Sequence, residues 1–305
     1  MKKLLLLFLL AFLAVPIANA EESVVTLTTT LDEGASIKLY TWADSMDDAF
    51  TIDWGDGVEK IYNKVKPSWT YGSEITGKLG ASKTITIKGD ITYLEIREMQ
   101  ISAATFANTK LKEVDMEKNQ LTDFNLSGLP EVTKLSLNGN SIVTFSSTGN
   151  SVLKNLGLKS NKIDSHQFEI SSLANSLEQL NVSENGENFV ALNLINFDKL
   201  QYFSANDNPE LTTVVFYDGS TNLKQISMNN CHIMHFYAIS LPNLSSLNLS
   251  NNALLDFENG TYPKLSTLSV NGNYLSEIDV TKFPKLFSFD CSSNQLTDIN
   301  VANNP

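Results

Sequence analysis

The feature that most constrains this sequence of 305 residues is a pattern, LxxLxLxxNxL, that recurs at a nearly constant period. The last copy begins at Leu286 and carries Phe289, Cys291, Asn294 and Leu296 at the marked positions. Copies in the same phase begin at Leu111, Val132, Leu153, Leu177, Leu200, Leu223, Leu244, Leu265 and Leu286. A degenerate first copy begins at Ile91. Ten copies spaced 20 to 24 residues apart indicate a tandem-repeat protein.

The alternation within each copy indicates a short β-strand. Positions one, four and six face inward, whereas positions three, five and seven lie on the other face of the strand. One copy alone cannot bury its apolar side chains, but stacked copies merge them into one core, at about 1.5–3 kcal/mol per large side chain. The pattern therefore predicts a mainly β fold, a repeat solenoid with a parallel sheet on its concave face.

The recurring asparagine predicts a structural ladder. A buried amide without hydrogen bonds costs about 1–3 kcal/mol. An asparagine offers two donor hydrogens and an acceptor, so it can satisfy backbone groups where the chain leaves the strand and can bridge to the next copy. We therefore expect structural rather than catalytic roles at Asn119, Asn140, Asn161, Asn185, Asn208, Asn252, Asn273 and Asn294.

The second half of each copy predicts a convex side with little α-helix. Many copies close with an apolar residue before proline, as at Leu129-Pro130 and Phe283-Pro284. Proline favours a turn and resists a long helix, so extended or 3₁₀ segments are expected there. A solenoid normally closes its last edge with a polar cap. None is seen before Pro305, so we expect either a further carboxy-terminal part or an exposed edge that takes a partner.

The first twenty residues (1–20) predict a signal peptide. Lys2 and Lys3 precede an apolar run over 4–17, and residues 18–20 (Ala-Asn-Ala) suit a peptidase site. A membrane anchor would need roughly 20 apolar residues. We expect cleavage before Glu21, no transmembrane segment afterwards, and export to the cell surface, the medium or the periplasm.

Residues 21–90 predict a small β-sandwich that caps the first edge of the solenoid, which follows over 91–305. Runs such as SIKLYTW and KTITIKG alternate β-branched or aromatic residues with polar ones, between Gly and Asp turns. Asp56-Gly57 between two such runs predicts a hairpin. A cap is expected because the first strand of a solenoid otherwise leaves an open edge.

These motifs resemble those of bacterial leucine-rich repeat (LRR) proteins with short units of roughly 21 residues, LxxLxCxxNxLxxLxLxxN. The closing segment LFSFDCSSNQLTDINVANNP is similar to that unit along its whole length. FTIDWGDGVEKIY, followed by ITIKGDITYLEI, resembles the amino-terminal β module that precedes LRRs in secreted proteins of gut and oral anaerobic bacteria. Its WGDG turn also occurs in PKD-like (polycystic kidney disease) modules. The resemblance implies an LRR fold and a binding role.

The sequence predicts no catalytic, cofactor or metal site. Cys231-His232-x-x-His235 has a metal-like spacing, but the repeat turns Cys231 inward and puts both histidines on the turn. A zinc site needs three or four converging ligands. Asp53 and Asp56 suit turn chemistry better than a calcium loop, which needs more oxygen ligands. We therefore expect a protein that is not an enzyme.

Charge and cysteine spacing bear on partners and crosslinks. Removal of residues 1–20 leaves 20 basic and 34 acidic residues, a net charge of −14 without a basic stripe, which disfavours nucleic acid.

Cys231 and Cys291 lie three copies apart, or ~14 Å at the usual strand spacing. That exceeds the roughly 7 Å limit for a disulfide. We expect two free, buried thiols.

The outward strand positions form the first candidate binding surface, the concave face. Its early part is charged and mainly acidic, and its later part carries short neutral side chains. The later part could bind a glycan or an extended peptide, or it could be consensus filler without a ligand. The candidate residues are Tyr93, Glu95, Tyr202, Asn206, Asn229 and Asn248.

The copies that begin at Leu153, Leu177 and Leu200 are longer than the others and supply a second candidate. They predict a contiguous apolar and aromatic patch on the convex side, beside acidic surroundings, as interaction sites often show. The alternative is that the extra length turns these side chains into the core. The patch consists of Ile195, Val215, Tyr217, His235, Tyr237 and Ile239.

Together these features favour an exported, non-catalytic protein that binds a protein or another surface macromolecule through its solenoid. A structural spacer in the envelope, without a specific ligand, is the alternative that a uniform surface supports. Glycan binding is disfavoured by the scarcity of aromatic platforms, and glycan-directed catalysis by the lack of a convincing carboxylate pair.

Overall fold

The computed structural model describes residues 22–45, 48–63, 74–216, 221–236, 238, 240–257, 260 and 262–305. In this part of the chain the secondary structure consists of β-strands and three 3₁₀ segments, without an α-helix. The 3₁₀ segments are Ser165–Gln167, Ser171–Leu173 and Val280–Lys282. The prediction of a mainly β fold with little helix is therefore confirmed. The predicted signal peptide lies outside the described residues.

The first eight strands form two sheets that share one core. They are β1 (Val24–Thr29), β2 (Ser36–Trp42), β3 (Phe50–Asp53), β4 (Glu59–Tyr62), β5 (Glu74–Lys78), β6 (Thr84–Lys88), β7 (Tyr93–Glu95) and β8 (Ile101–Ala107). One sheet is antiparallel, in the order β4-β3-β6-β1-β8, and β5 and β2 continue the other sheet from β7. Strand pairs β1–β8 and β2–β7 cross position 90, so hydrogen bonds join the first repeat to the residues before it.

The WGDG segment contributes both a turn and a core residue. The Trp54 side chain is fully buried, and its Nε1–H donates to the hydroxyl of Tyr62 at 3.3 Å. A Cβ atom at Gly77 would lie 2.1 Å from Cδ2 of the indole, so β5 passes the ring only because residue 77 is glycine. The Asp53 carboxylate accepts the Gly55 N–H at 2.8 Å and closes the turn between β3 and β4.

The repeats add fourteen further strands in the described chain. They are β9 (Glu113–Asp115), β10 (Asp123–Asn125), β11 (Lys134–Ser136), β12 (Thr144–Ser146), β13 (Asn155–Gly157), β14 (Phe168–Glu169), β15 (Gln179–Asn181), β16 (Ala191–Leu194), β17 (Tyr202–Ser204), β18 (Thr213–Phe216), β19 (Gln225–Ser227), β20 (Ser246–Asn248), β21 (Thr267–Ser269) and β22 (Ser288–Asp290). Ten parallel strands follow one another in a single sheet, β7-β9-β11-β13-β15-β17-β19-β20-β21-β22. Two short parallel sheets, β10-β12-β14 and β16-β18, lie on the convex side. The chain is therefore a solenoid.

The inward side chains of the turns form one continuous core. The middle residue of each inner strand is buried, as Leu135, Leu180 and Leu247 show. Behind them runs a file of aromatic rings, in which Phe236 lies between Phe216 and Phe257 at centroid distances of 6.2 Å. Such ring pairs add about 0.5–1.5 kcal/mol beyond the area they bury. The core therefore stabilises each turn through contacts with its neighbours.

Asparagine side chains connect successive turns. The Nδ2 group of Asn252 donates to Met228 O of the preceding turn at 2.7 Å and to Leu249 O of its own turn at 3.0 Å. Its Oδ1 atom accepts the Ile233 N–H at 3.0 Å. The same pair of donations, to the preceding turn and to the own turn, is made by Asn119, Asn140, Asn161, Asn185, Asn208, Asn273 and Asn294.

Both cysteines are free, and neither is fully buried. Cys231 takes the place of a ladder asparagine, and its thiol donates to Ala205 O at 3.1 Å. Burial raises the pKa of Cys231 to about 11. Cys291 lies in the turn of β22, the outermost strand of the described sheet, so solvent reaches one side of it. The expectation of two buried thiols is therefore wrong.

Candidate functional site

The concave face presents three parallel columns of outward residues. The first column is the first residue of each strand, the second is the third residue, and the third lies two residues beyond the strand end. In β15 these are Gln179, Asn181 and Ser183. Neighbouring strands are about 4.8 Å apart, so equivalent residues of adjacent turns can contact one another along a column.

A depression of ≈ 460 Å³ lies on this face, over β11, β13, β15, β17 and β19. Gly157 is the second-column residue of β13 in this depression, and it contributes no side chain. Lys134 is the one charged residue among those that line it. The lining residues are Lys134, Leu135, Ser136, Asn138, Asn155, Leu156, Gly157, Gln179, Leu180, Asn181, Tyr202, Phe203, Ser204, Asn206, Gln225 and Ser227.

The third column is occupied by internal hydrogen bonds near β11. The Nδ2 group of Asn138 donates to Glu117 Oε1 at 2.8 Å and to Ser136 Oγ at 2.9 Å. Its Oδ1 atom accepts the Lys159 N–H of the next turn at 2.8 Å. Hydrogen bonds from Ser136 and Asn138 lower the pKa of Glu117, although burial alone would raise it. Asn138 therefore holds adjacent turns together and has little capacity left for a ligand.

A second internal network surrounds Asn206, one of the sequence-predicted candidates. Its Nδ2 group donates to Ser204 Oγ at 3.0 Å, and its Oδ1 atom accepts from Ser227 Oγ at 2.7 Å. The same oxygen accepts the Asn229 N–H at 3.0 Å. Asn248, a further candidate, uses its Oδ1 atom for the Ser250 N–H at 3.0 Å. These candidates lie on the concave face, but their carbonyl oxygens already serve the fold.

The first column differs over β13, β15, β17 and β19, because its side chains there are free for a ligand. Within the described chain, the side-chain amide groups of Asn155, Gln179 and Gln225 make no hydrogen bond, although their backbone groups do. Between them lies Tyr202, 41% exposed, whose hydroxyl is likewise without a hydrogen-bond partner among the described residues. Lys224 Nζ lies 5.8 Å from the centre of the Tyr202 ring. Free amides and an exposed ring therefore follow one another over four turns.

The acidic end of the concave face is a self-paired network. Arg97 forms ion pairs with Asp115 and, at 3.4 Å, with Glu95. The Tyr93 hydroxyl donates to Glu95 Oε2 at 2.5 Å, and the Tyr93 ring stacks on Trp42 at a centroid distance of 3.8 Å. Burial raises the pKa of Tyr93 and of Asp115. The candidates Tyr93 and Glu95 are therefore fixed by one another and their neighbours.

The convex patch predicted from the sequence is placed only in part. Ile195 and Val215 are each 40% exposed, and Val215 lies opposite Asn193 in the β16–β18 pair. His235 Nδ1 lies 3.0 Å from an Asp256 carboxylate oxygen. The other three patch residues, Tyr217, Tyr237 and Ile239, lie outside the described residues.

A second depression, of ≈ 470 Å³, lies on the side of the last turns. Four carboxylates line it, those of Asp256, Glu277, Asp279 and Asp298, together with Leu255 and Ile299 among other residues. In the described residues no group of three or more His, Cys, Asp or Glu side chains is placed to hold a metal ion. The same part of the chain has no helix long and apolar enough to cross a bilayer.

No protein-family model and no curated protein sequence matches the chain. Among solved structures, the functional domain of InlJ from Listeria monocytogenes, which includes a cysteine ladder, aligns over 74% of this chain and 50% of that one. The TM-score is 0.61 and the sequence identity 22%. The chain has the leucine-rich repeat fold. The LRR fold here carries its ladder on asparagine, with Cys231 in one rung.

Two other bacterial structures align less closely with this LRR chain. YopM from Yersinia enterocolitica aligns over 68% of this chain and 57% of that one, with 19% identity and a TM-score of 0.45. An LRR protein of Leptospira interrogans aligns over 63% of each chain, with 18% identity and a TM-score of 0.39. The LRR chain thus spans about half the length of the InlJ domain and under two thirds of the other two.

The sequence-based candidates included part of the concave surface and missed its centre. Asn155 and Gly157 were passed over, although both occupy outward strand positions in the copy that begins at Leu153. Their position in the repeat is the signal that identifies them. Gly157 carries no side chain to suggest a contact, and its importance lies in the room it leaves for the Asn138 amide, which a Cβ atom at position 157 would approach to 3.0 Å.

Proposed function

We propose that this protein binds a macromolecular partner on the concave face of its LRR solenoid, in the depression between β11 and β19. The observation that carries the proposal is the first column, where Asn155, Gln179 and Gln225 have free amides beside the exposed ring of Tyr202. A side-chain amide that the fold does not use has two donor hydrogens and an acceptor available to a ligand.

The proposal includes export and a partner outside the cytoplasm. The amino-terminal segment, with Lys2 and Lys3 before an apolar run and small residues before Glu21, supports a cleaved signal peptide. The role is binding without catalysis. The partner is a protein or another surface macromolecule, and the mature chain binds it as an extended surface rather than in an enclosed pocket.

The test uses the chain from Glu21 onward, immobilised and exposed to an extracellular extract in which proteins and polysaccharides are fractionated separately. Gln179→Arg places a long charged side chain in the depression without removing a hydrogen bond of the fold. We expect saturable binding by one fraction, with an affinity that falls about tenfold or more in this variant because the arginine obstructs the surface.

The matched control is Asn188→Arg, which adds the same side chain at an exposed position outside the depression. It should bind as the unaltered protein does. Equal binding by the Gln179→Arg variant would place the site elsewhere, and loss of binding in Asn188→Arg would show a non-specific charge effect. An absence of saturable ligands in all fractions would favour the spacer role over binding.

A further inference from the structure

The free column of the depression is uncharged in a protein of strong negative charge. The sequence has 34 acidic and 22 basic residues, yet Lys134 is the single charged residue of the lining. A charged ligand would gain little from this lining, because its one cation, Lys134, lies at one end, and Lys224 beside Tyr202 is not part of it. We propose, as a refinement that rests on the proposed function, that the column binds an uncharged polysaccharide lying along the solenoid axis.

The spacing of the column suits a polymer with hydroxyl groups on both sides of every unit. Adjacent turns offer a free amide or hydroxyl about every 4.8 Å, from Asn155 through Gln179 and Tyr202 to Gln225. Side chains on one face of an extended peptide recur every ~6.6 Å, since each residue advances about 3.3 Å. A peptide along this column is therefore out of step by ~2 Å at the next turn. A sugar ring has several hydroxyls and is not limited to one contact per repeat.

The chemistry of the side chains matches hydroxyl groups in both directions. Each primary amide donates and accepts, as a sugar hydroxyl does, so Asn155, Gln179 and Gln225 can each engage a pair of hydroxyls. Tyr202 adds an exposed ring between the amides, against which the apolar face of a sugar can pack. Lys224 Nζ lies 5.8 Å from the centre of this ring and donates to Gln201 Oε1 at 2.7 Å.

The same surface lacks the anchors that protein partners use. Binding energy at protein interfaces is concentrated in Trp, Tyr and Arg side chains that are desolvated near the centre. The lining contains one such residue, Tyr202, and its leucine and phenylalanine members face the core from the strand centres. Desolvation of the side-chain amides costs free energy unless the ligand forms hydrogen bonds with them. A polyhydroxylated chain supplies such hydrogen bonds.

The test is calorimetric titration of the chain from Glu21 onward with cellohexaose, xylohexaose and mannohexaose, and with hexagalacturonate as the charged comparator. We expect at least one neutral hexasaccharide to bind saturably. Its affinity should fall about tenfold in Gln179→Ala and in Tyr202→Ala, the factor expected for one lost contact. It should change little when sodium chloride rises from about 0.1 to about 1 M, because no charges are paired.

Thr267→Ala is the matched control, because it truncates the first-column residue of β21, beyond the depression. Its affinity should equal that of the unaltered chain. Failure of all three neutral hexasaccharides to bind, binding that both depression variants retain, or salt-sensitive binding of hexagalacturonate alone would overturn the polysaccharide assignment. A protein ligand that Gln179→Arg blocks, with no sugar bound, would overturn this assignment while leaving the proposed function intact.

Discussion

The asparagine ladder makes the strongest prediction about stability, and Asn252→Ala tests it. The substitution removes four hydrogen bonds of a buried side chain, to Met228 O, Leu249 O and Ser250 O and from Ile233 N–H. Each such bond contributes about 0.5–1.5 kcal/mol net. We therefore expect the free energy of unfolding to fall by about 3 kcal/mol, a large share of the 5–15 kcal/mol typical of folded proteins.

The loss should be local, because two of the four bonds join the turn of Asn252 to the preceding turn. Tandem repeats are stabilised mainly by contacts between neighbours, so the last turns should unfold before the rest. The three tryptophans, Trp42, Trp54 and Trp69, all lie before the repeats. In urea, the circular dichroism midpoint should fall by about 1 M, and the tryptophan fluorescence midpoint should fall less.

The control is Asn188→Ala, which removes an exposed amide that makes no side-chain hydrogen bond in the described chain. It should change the free energy of unfolding by less than about 0.5 kcal/mol. A similarly small loss in Asn252→Ala would refute the reasoning, since the four backbone groups would then find other partners. Equal shifts of both probes would refute the local character of the unfolding.

Three further predictions concern the core and the exceptional rung. Cys231→Asn should raise the free energy of unfolding by about 1 kcal/mol in the same urea assay, since the amide can add a hydrogen bond to the one that the thiol makes with Ala205 O. A lower free energy of unfolding would show that the surroundings of residue 231 fit a thiol better than an amide. Gly77→Ala should lower the free energy of unfolding by several kcal/mol and reduce the near-ultraviolet circular dichroism of Trp54, because the new methyl would lie 2.1 Å from the indole. An unchanged circular dichroism signal would contradict this packing. The raised pKa of Cys231 means that its contribution to stability is complete below the pKa of an unfolded thiol, near 8.5, and is lost as the pH rises through about 11. The free energy of unfolding should therefore fall less steeply over this pH range in Cys231→Ala than in the unaltered protein. An equal fall in both proteins would contradict the raised pKa of Cys231.

The solenoid could be predicted from the sequence because its period and its inward positions are encoded in every copy. Leu135, Leu180 and Leu247 recur at the same offset, and each is buried as the middle residue of its strand. A shift by one residue would expose every one of them, so the pattern fixes the register of the whole sheet. The fold class therefore follows from local information repeated ten times.

The free and the occupied concave residues could not be told apart in the sequence. Asn206 and Gln179 are both outward amides, but Asn206 finds Ser204 and Ser227 within hydrogen-bond distance, and Gln179 has no such partner in the described chain. The difference depends on which side chains the adjacent turns supply and on the column each residue occupies. Such information appears only when the turns are stacked.

The joining of the first repeat to the preceding strands was likewise beyond the sequence. The alternation in β1 and β2 indicates strands, but it does not specify their partners. The pairing of Val25 with Phe106, and of Thr41 with Leu94, depends on how the chain returns between the two sheets. The longer copies likewise do not specify in the sequence which of their convex residues pair. In the structure Val215 lies opposite Asn193, and not opposite Ile195.

The stacking of strands from β5 to β22 in one sheet has a mechanical consequence. Tension applied along the stack acts in line with the hydrogen bonds between neighbouring strands, so it opens these bonds in sequence rather than shearing them all together. Each turn occupies ~4.8 Å of the stack. Once detached, its roughly 21 residues extend to ~70 Å. Under constant tension the turns therefore unfold one after another, and the distance between the two ends of the array grows severalfold.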